Sequence, residues 1–259
     1  SQAGSIAALV KGFRDFDNEI NLAGVVLNKV NSQRHKDLLT ESLNNINVKV
    51  MGCIPNKDSL SIPSKNLGLA PAHELEGLNN LIDIWANSAK KYLDINAFKL
   101  LLNSPKSSKD PIKSICNKVR KQNLKKGTKI SIVKDKAFHF RYSETIECLE
   151  GLGLEINEWS ILKDKKMPND TKALIIPGGF PEEFAEEISH CFNSLDSLRN
   201  SFGKLPIYAE CGGMLLLGQS LCGLDGKIHE MAGILPIRSE RSSLKIGYRE
   251  LISERDSLI

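Results

Sequence analysis

The sequence is poor in the features that would send it to a membrane, a secretory route or a metal. Nowhere in its 259 residues is there a run of about 18 apolar side chains, so no helical membrane span is expected. The first ten residues carry no basic stretch followed by an apolar run and cleavage site, which argues against a secretory leader and leaves the cytoplasm as the expected compartment. The six cysteines, Cys53, Cys116, Cys148, Cys191, Cys211 and Cys222, form no C-x-x-C pair. Their irregular spacing excludes a zinc ribbon and a disulfide framework, and they read as reduced thiols with no metal ligand set among them. Aromatics make up 6% of the chain and the formal charge is only +4, its basic excess falling in residues 106–129. Basic residues without interleaved aromatics or a reading motif point to a solvated connector and to no nucleic-acid partner. A phosphate-binding G-x-x-x-x-G-K-[ST] loop is also missing, since Lys125–Lys126–Gly127–Thr128 has no first glycine and follows no strand.

What is present suits a globular α/β protein. The composition is 41% hydrophobic and 25% charged, and the length accommodates two modest domains. Helical spacing of apolar residues over 5–16, a short apolar run over 22–27 ending in Asn28, a helix over 33–43, a strand over 48–53 and a helix over 75–92 form one alternating block. A second block holds strands over 129–133, 154–157, 173–177 and 207–210, with helices over 143–152 and 182–189. Alternation at this spacing predicts parallel sheets, with ligands at the carboxyl ends of the strands. Only two strands are legible in the first block, fewer than a parallel sheet needs, so further strands are expected upstream.

Two motifs carry chemistry. Ala209–Glu210–Cys211–Gly212–Gly213 falls between an apolar strand and an apolar helix over 214–217. A nucleophile on a tight strand-to-helix turn needs small neighbours, and the helix start beyond it presents N–H groups that favour a thiolate. Cys211 is thus the candidate nucleophile, the competing reading being a buried core cysteine. The second motif, Ile176–Pro177–Gly178–Gly179–Phe180–Pro181–Glu182, ends one strand and opens a helix. Its paired glycines would let backbone N–H groups turn toward a ligand, as an oxyanion hole requires.

These two motifs, the D-x-A-F-x-F-x-Y stretch at 135–142 and Gly247–Tyr248–Arg249–Glu250 resemble the glutaminase half of the cobyrinic acid a,c-diamide synthase family. The segments S-Q-x-x-S-x-A-A-L-V-x-G-F at the start, A-G-V-V-L-N-K-V-x-S-x-R-H at 23–35 and L-G-L-x-x-x-x-E at 67–74 resemble the end of that family's ATP-dependent synthetase domain. The resemblance implies the end of a P-loop-type synthetase domain over 1–98, a lysine-rich linker over 99–127 and a flavodoxin-like, doubly wound class I glutaminase domain over 128–259. It implies ATP and Mg²⁺ as cofactors, glutamine and a corrinoid carboxylate as substrates, and Cys211 as nucleophile. Gly178 and Gly179 would form the glutamine-binding loop, Gly179 and Gly212 donating to the oxyanion. Asn28 would read the adenine edge, although an Asn tied to the next turn fits the residue equally. A homodimer is left open as an assembly.

The family's catalytic histidine follows the G-Y-R-E segment in a G-H-E-F-H-type motif. It is expected beyond Ile259, and the phosphate cradle before Ser1, so the piece itself should be a poor enzyme. None of His35, His73, His139, His190 and His229 stands where the base belongs. Lys65–Asn66 replaces the family's usual Arg-His before L-G-L. An enzyme acting on hydrogenobyrinic acid or another tetrapyrrole is the alternative within the class, since a glutaminase half sees only glutamine. A non-catalytic remnant or binding module is the alternative outside it.

Overall fold

The computed structural model describes residues 3–62, 71–102, 110–119 and 124–243. The L-G-L segment, Lys65–Asn66 and the G-Y-R-E segment lie outside these residues, as does the side chain of His73. The chain divides into two compact units, residues 1–106 and 107–259.

In the first unit, α1 (Ser5–Phe16), β1 (Val25–Val30), α2 (Gln33–Asn44), β2 (Val50–Pro55), α3 (Leu78–Tyr92) and α4 (Ile95–Leu101) follow one another. Strands β1 and β2 are parallel, with Val25 opposite Val50 and Leu27 opposite Cys53. The ladder begins where the Val25 N–H reaches the Lys49 carbonyl, 2.9 Å away, so the strand starts three residues later than the apolar run suggested. Helix α2 is capped by Ser32, whose Oγ accepts the His35 N–H at 3.2 Å. Its buried Leu39 and Leu43 close over Leu27, Val30 and Val48, with Ile6 and Val10 of α1 against the same cluster.

The second unit holds α5 (Pro111–Val119), β3 (Lys129–Val133), α6 (Ser143–Gly151), β4 (Glu155–Trp159) and β5 (Ala173–Ile176). Next come a 3₁₀ turn (Pro181–Phe184), α7 (Ala185–Ser189), α8 (Phe192–Ser201), β6 (Ile207–Ala209) and α9 (Gly212–Leu217). Three short strands, β7 (Ser220–Cys222), β8 (Ile228–Glu230) and β9 (Arg238–Ser239), complete it. The main sheet is all parallel in the order β4-β3-β5-β6. That is the start of the flavodoxin-like order, in which the chain switches direction between its first and third strands, here β3 and β5. Ile132 and Val133 of β3 and Leu174 and Ile176 of β5 are buried, as strands covered on both faces must be. Ser131 is fully buried too, and its hydroxyl is satisfied by Thr171 Oγ1 at 2.6 Å, which donates onward to the Pro168 carbonyl.

Several elements depart from the sequence reading. The lysine-rich stretch read as a connector carries helix α5, whose Cys116 is 2% exposed and lies against α6 with its Sγ 3.4 Å from the Cys148 carbonyl. The helix expected over 182–189 is a 3₁₀ turn followed by the short α7. Helix α8 and the β8-β7-β9 sheet were not anticipated.

Candidate active site

The loops after β3 and β5 leave adjacent strands at the switch point, and the elbow after β6 comes up beside them. Cys211 occupies that elbow with φ 45° and ψ −112°, a left-handed conformation outside the regions a side chain prefers. Such a residue costs about 1–3 kcal/mol and persists only where its surroundings fix it. Here the Glu210 N–H donates to the Ile176 carbonyl at 3.0 Å, Gly213 N–H to the Glu210 carbonyl at 2.7 Å and Met214 N–H to the Cys211 carbonyl at 2.9 Å. The thiol is exposed, whereas Cys116 and Cys191 are buried, which removes the reading of Cys211 as a core cysteine.

The glycines around it are required by space rather than by conformation. Gly178, Gly179 and Gly212 all have a negative φ. A Cβ on Gly179 would lie 2.0 Å from the Ala137 carbonyl oxygen, and one on Gly212 would lie 2.8 Å from the Gly179 oxygen and 3.1 Å from the Gly179 nitrogen. Gly178 is looser. Its Cβ would sit 3.4 Å from the Phe140 ring and 3.5 Å from Cys211 Cβ, putting this glycine directly beside the candidate nucleophile. Among the described residues the Gly179 and Gly212 N–H groups have no backbone carbonyl as partner.

Sequence reasoning missed the groups that frame this elbow. Phe140 N–H donates to the Gly178 carbonyl at 3.1 Å, tying the loop after β3 to the loop after β5. Tyr208 Oη donates to Glu210 Oε1 at 2.8 Å, and the carboxylate beside it pushes the phenol above its ordinary range. Phe140, Arg141, Pro177, Tyr208 and Glu210 line a cavity of about 80 Å³, whose walls include neither Cys211 nor the three glycines. Glu182, which ends the glycine loop, is half-buried, and desolvation pushes its carboxyl up. The A-E-C-G-G and D-x-A-F-x-F-x-Y strings contain Glu210 and Phe140, so the signal existed without the geometry that gives it meaning.

Three of the histidines have clear partners in the second unit. His139 packs its ring on Phe140 and Phe180 at centroid distances of 4.4 and 5.6 Å. His229 Nε2 meets the Asp225 carboxylate at 3.2 Å, and His190 Nδ1 meets the Glu186 carbonyl at 2.7 Å. In the first unit Asn28 lies within β1, and its Oδ1 accepts the Lys29 N–H at 2.9 Å. Asn28 also lines a cavity of about 490 Å³, together with Ile6, Val26, Lys29, His35 and Leu39. Its lining also holds a second amide, Asn31, and the side chain of Ser32.

Residues 129–254 match the CobB/CobQ-like glutamine amidotransferase domain, and residues 1–69 match the CobQ/CobB/MinD/ParA nucleotide binding domain. Cobyrinate a,c-diamide synthase of Synechococcus sp. is 34% identical over 259 residues, covering 99% of this chain and 56% of the relative. The chain belongs to the cobyrinate a,c-diamide synthase family. The Priestia megaterium cobyrinate a,c-diamide synthase is likewise 34% identical, over 97% of this chain and 54% of the relative. Hydrogenobyrinate a,c-diamide synthase of Brucella anthropi is 32% identical over 96% and 57%. The chain therefore spans just over half the length of the curated relatives it matches. Its second unit is the glutamine amidotransferase part, and its first belongs to a nucleotide-binding domain. No described helix is long and apolar enough to cross a membrane.

Proposed function

We propose that this protein takes part in the glutamine-dependent, ATP-driven amidation of the a and c carboxylates of cobyrinic acid, with Cys211 as the glutaminase nucleophile. The observation that carries this reading is the exposed, strained Cys211 set against two glycine amides without backbone partners. Cys211 Sγ attacks the side-chain amide carbon of glutamine. The N–H groups of Gly179 and Gly212 receive the developing oxyanion, and Gly178 leaves room for the substrate beside the sulfur. Collapse of the tetrahedral species breaks the C–N bond and releases ammonia, leaving a thioester that water hydrolyses to glutamate and free thiol. ATP, with Mg²⁺ as its companion ion, supplies the phosphoryl group that activates each carboxylate for attack by ammonia. Asn28, on the lining of its cavity, would read the adenine edge of that nucleotide. None of the histidines in this sequence is assigned as the proton acceptor.

Hydrogenobyrinic acid is a second substrate reading, favoured by relatives of that name at nearly the same identity as those named for cobyrinate. In the full protein, Cys211→Ala is expected to abolish glutamine-dependent amidation while ammonia-dependent amidation continues. Glutamate release at the wild-type rate from that variant would overturn the assignment. Parallel assays with cobalt-containing and cobalt-free corrinoid acid separate the two substrates.

A further inference from the structure

We propose that Asp135 is a positioning residue that sets the height of the oxyanion loop, an inference that rests on the Cys211 glutaminase reading. Asp135 stands just beyond β3, and its carboxylate accepts five hydrogen bonds. Oδ1 takes the N–H groups of Ala137 and Phe138, both at 3.1 Å. Oδ2 takes the Ser160 hydroxyl at 3.2 Å and the N–H groups of Ile161 and Leu162 at 2.8 and 3.2 Å. One side chain thereby ties the loop after β3 to the loop after β4.

The consequence reaches the nucleophile through backbone contacts alone. The Ala137 carbonyl, in the same peptide unit as the Phe138 N–H that this carboxylate accepts, is the group that leaves no space for a Cβ on Gly179. Gly179 in turn packs on Gly212, the residue after Cys211. Farther along the same loop, Phe140 N–H binds the Gly178 carbonyl. With Ala137 and Phe138 fully buried, the loop has no room to yield, so the Asp135 carboxylate fixes where the Gly179 N–H stands relative to Cys211. Only a carboxylate serves here. An amide side chain has one acceptor oxygen, and its NH₂ would face either the two donors on one side or the three on the other.

The test is Asp135→Asn in the full protein, assayed for glutamine hydrolysis and for alkylation of Cys211 by iodoacetamide, a small neutral electrophile that needs no oxyanion hole. A misplaced oxyanion donor is expected to lower kcat about 10²-fold. KM and the alkylation rate should stay within about twofold, because neither depends on transition-state hydrogen bonds. A kcat within twofold of wild type overturns the proposal, as does a parallel fall in alkylation rate, which would mark general collapse of the elbow. Should Asp135→Asn fail to fold, Ser160→Ala removes a single bond and keeps the carboxylate. It is expected to lower kcat about threefold with KM unchanged, and an unchanged kcat there also overturns the proposal. Failure of the glutaminase reading itself is distinguishable, because Cys211→Ala would then still hydrolyse glutamine.

Discussion

Adding one methyl group to Gly179 should separate the effects of space and chemistry at the elbow. The new Cβ would lie 2.0 Å from the Ala137 oxygen, 2.8 Å from the Ala137 carbonyl carbon and 2.9 Å from Phe138 Cα, all of them backbone atoms. Against a van der Waals optimum of roughly 3.5 Å, the first contact is short by about 1.5 Å. No side-chain rotation relieves it, and both neighbours are fully buried. Gly179→Ala must therefore displace the glycine loop or the loop after β3, at the cost of about 1–3 kcal/mol typical of overpacking. For a domain of this size that is a fall in Tm of about 3–10 °C, and a shift of the Gly179 N–H by about 1 Å lowers kcat about 10²-fold. Gly178→Ala is the matched control, since its Cβ meets nothing closer than 3.4 Å. It should melt within about 1 °C of wild type yet lose glutamine turnover, because the methyl stands 3.5 Å from Cys211 Cβ in the space the substrate needs. Differential scanning fluorimetry and a glutamate-release assay on both variants decide the matter. Equal melting temperatures for the two variants, or an undisturbed Gly179→Ala in either assay, would refute the reasoning.

Cysteine reactivity should follow exposure and charge. Burial, with Asp164 and Glu187 nearby, pushes the Cys191 thiol up to about 11, so at pH 8 iodoacetamide should label Cys211 and spare Cys191 in the folded protein; peptide mapping that finds Cys191 labelled first would contradict this. Desolvation holds the Glu182 proton in the folded state above the ordinary value of 4.5. The resulting stability is fully present below that value and is lost as pH rises through the folded-state value. Glu182→Gln should therefore gain in Tm relative to wild type between pH 4 and pH 7, and a gain that shrinks over that range would show the sign to be wrong.

The strands of the two parallel sheets and most helices were legible because apolar residues dominate them at regular spacing, as in residues 129–133 and 173–176. Helix α8 was hidden by serine. Its inward face is Ser194, Leu195, Leu198 and Ser201, spaced as a helix requires, but two of the four are polar and make no apolar pattern. They are buried because they find acceptors, Ser194 Oγ the Ile161 carbonyl at 3.0 Å and Ser201 Oγ the Leu198 carbonyl at 2.7 Å. Strands β7 to β9 are two or three residues long, too short for period-two alternation to register. At the site, Cys211 and the glycines stood out because nucleophile elbows demand those residue types. Asp135 appeared only as the first residue of the D-x-A-F-x-F-x-Y stretch and without a role, since a carboxylate whose task is to accept backbone N–H groups has no signature until the donors are placed.

The switch point explains why this site is assembled from backbone. At the β3/β5 boundary two loops diverge from adjacent strands, and the crevice between them is open unless something bridges it. Bulky side chains would bridge it by filling it, leaving no room for a substrate. Glycine at 178, 179 and 212 lets main chain meet main chain instead, and the bridge is then made of carbonyls and N–H groups whose positions are fixed by the sheet. Rigidity of that kind has to be anchored, because each loop alone could rotate away. The Asp135 carboxylate anchors one side with five hydrogen bonds, and the Glu210 N–H on the Ile176 carbonyl anchors the other. The strained backbone of Cys211 is sustainable only between such anchors, so loosening either side should relax the elbow before it unfolds the sheet.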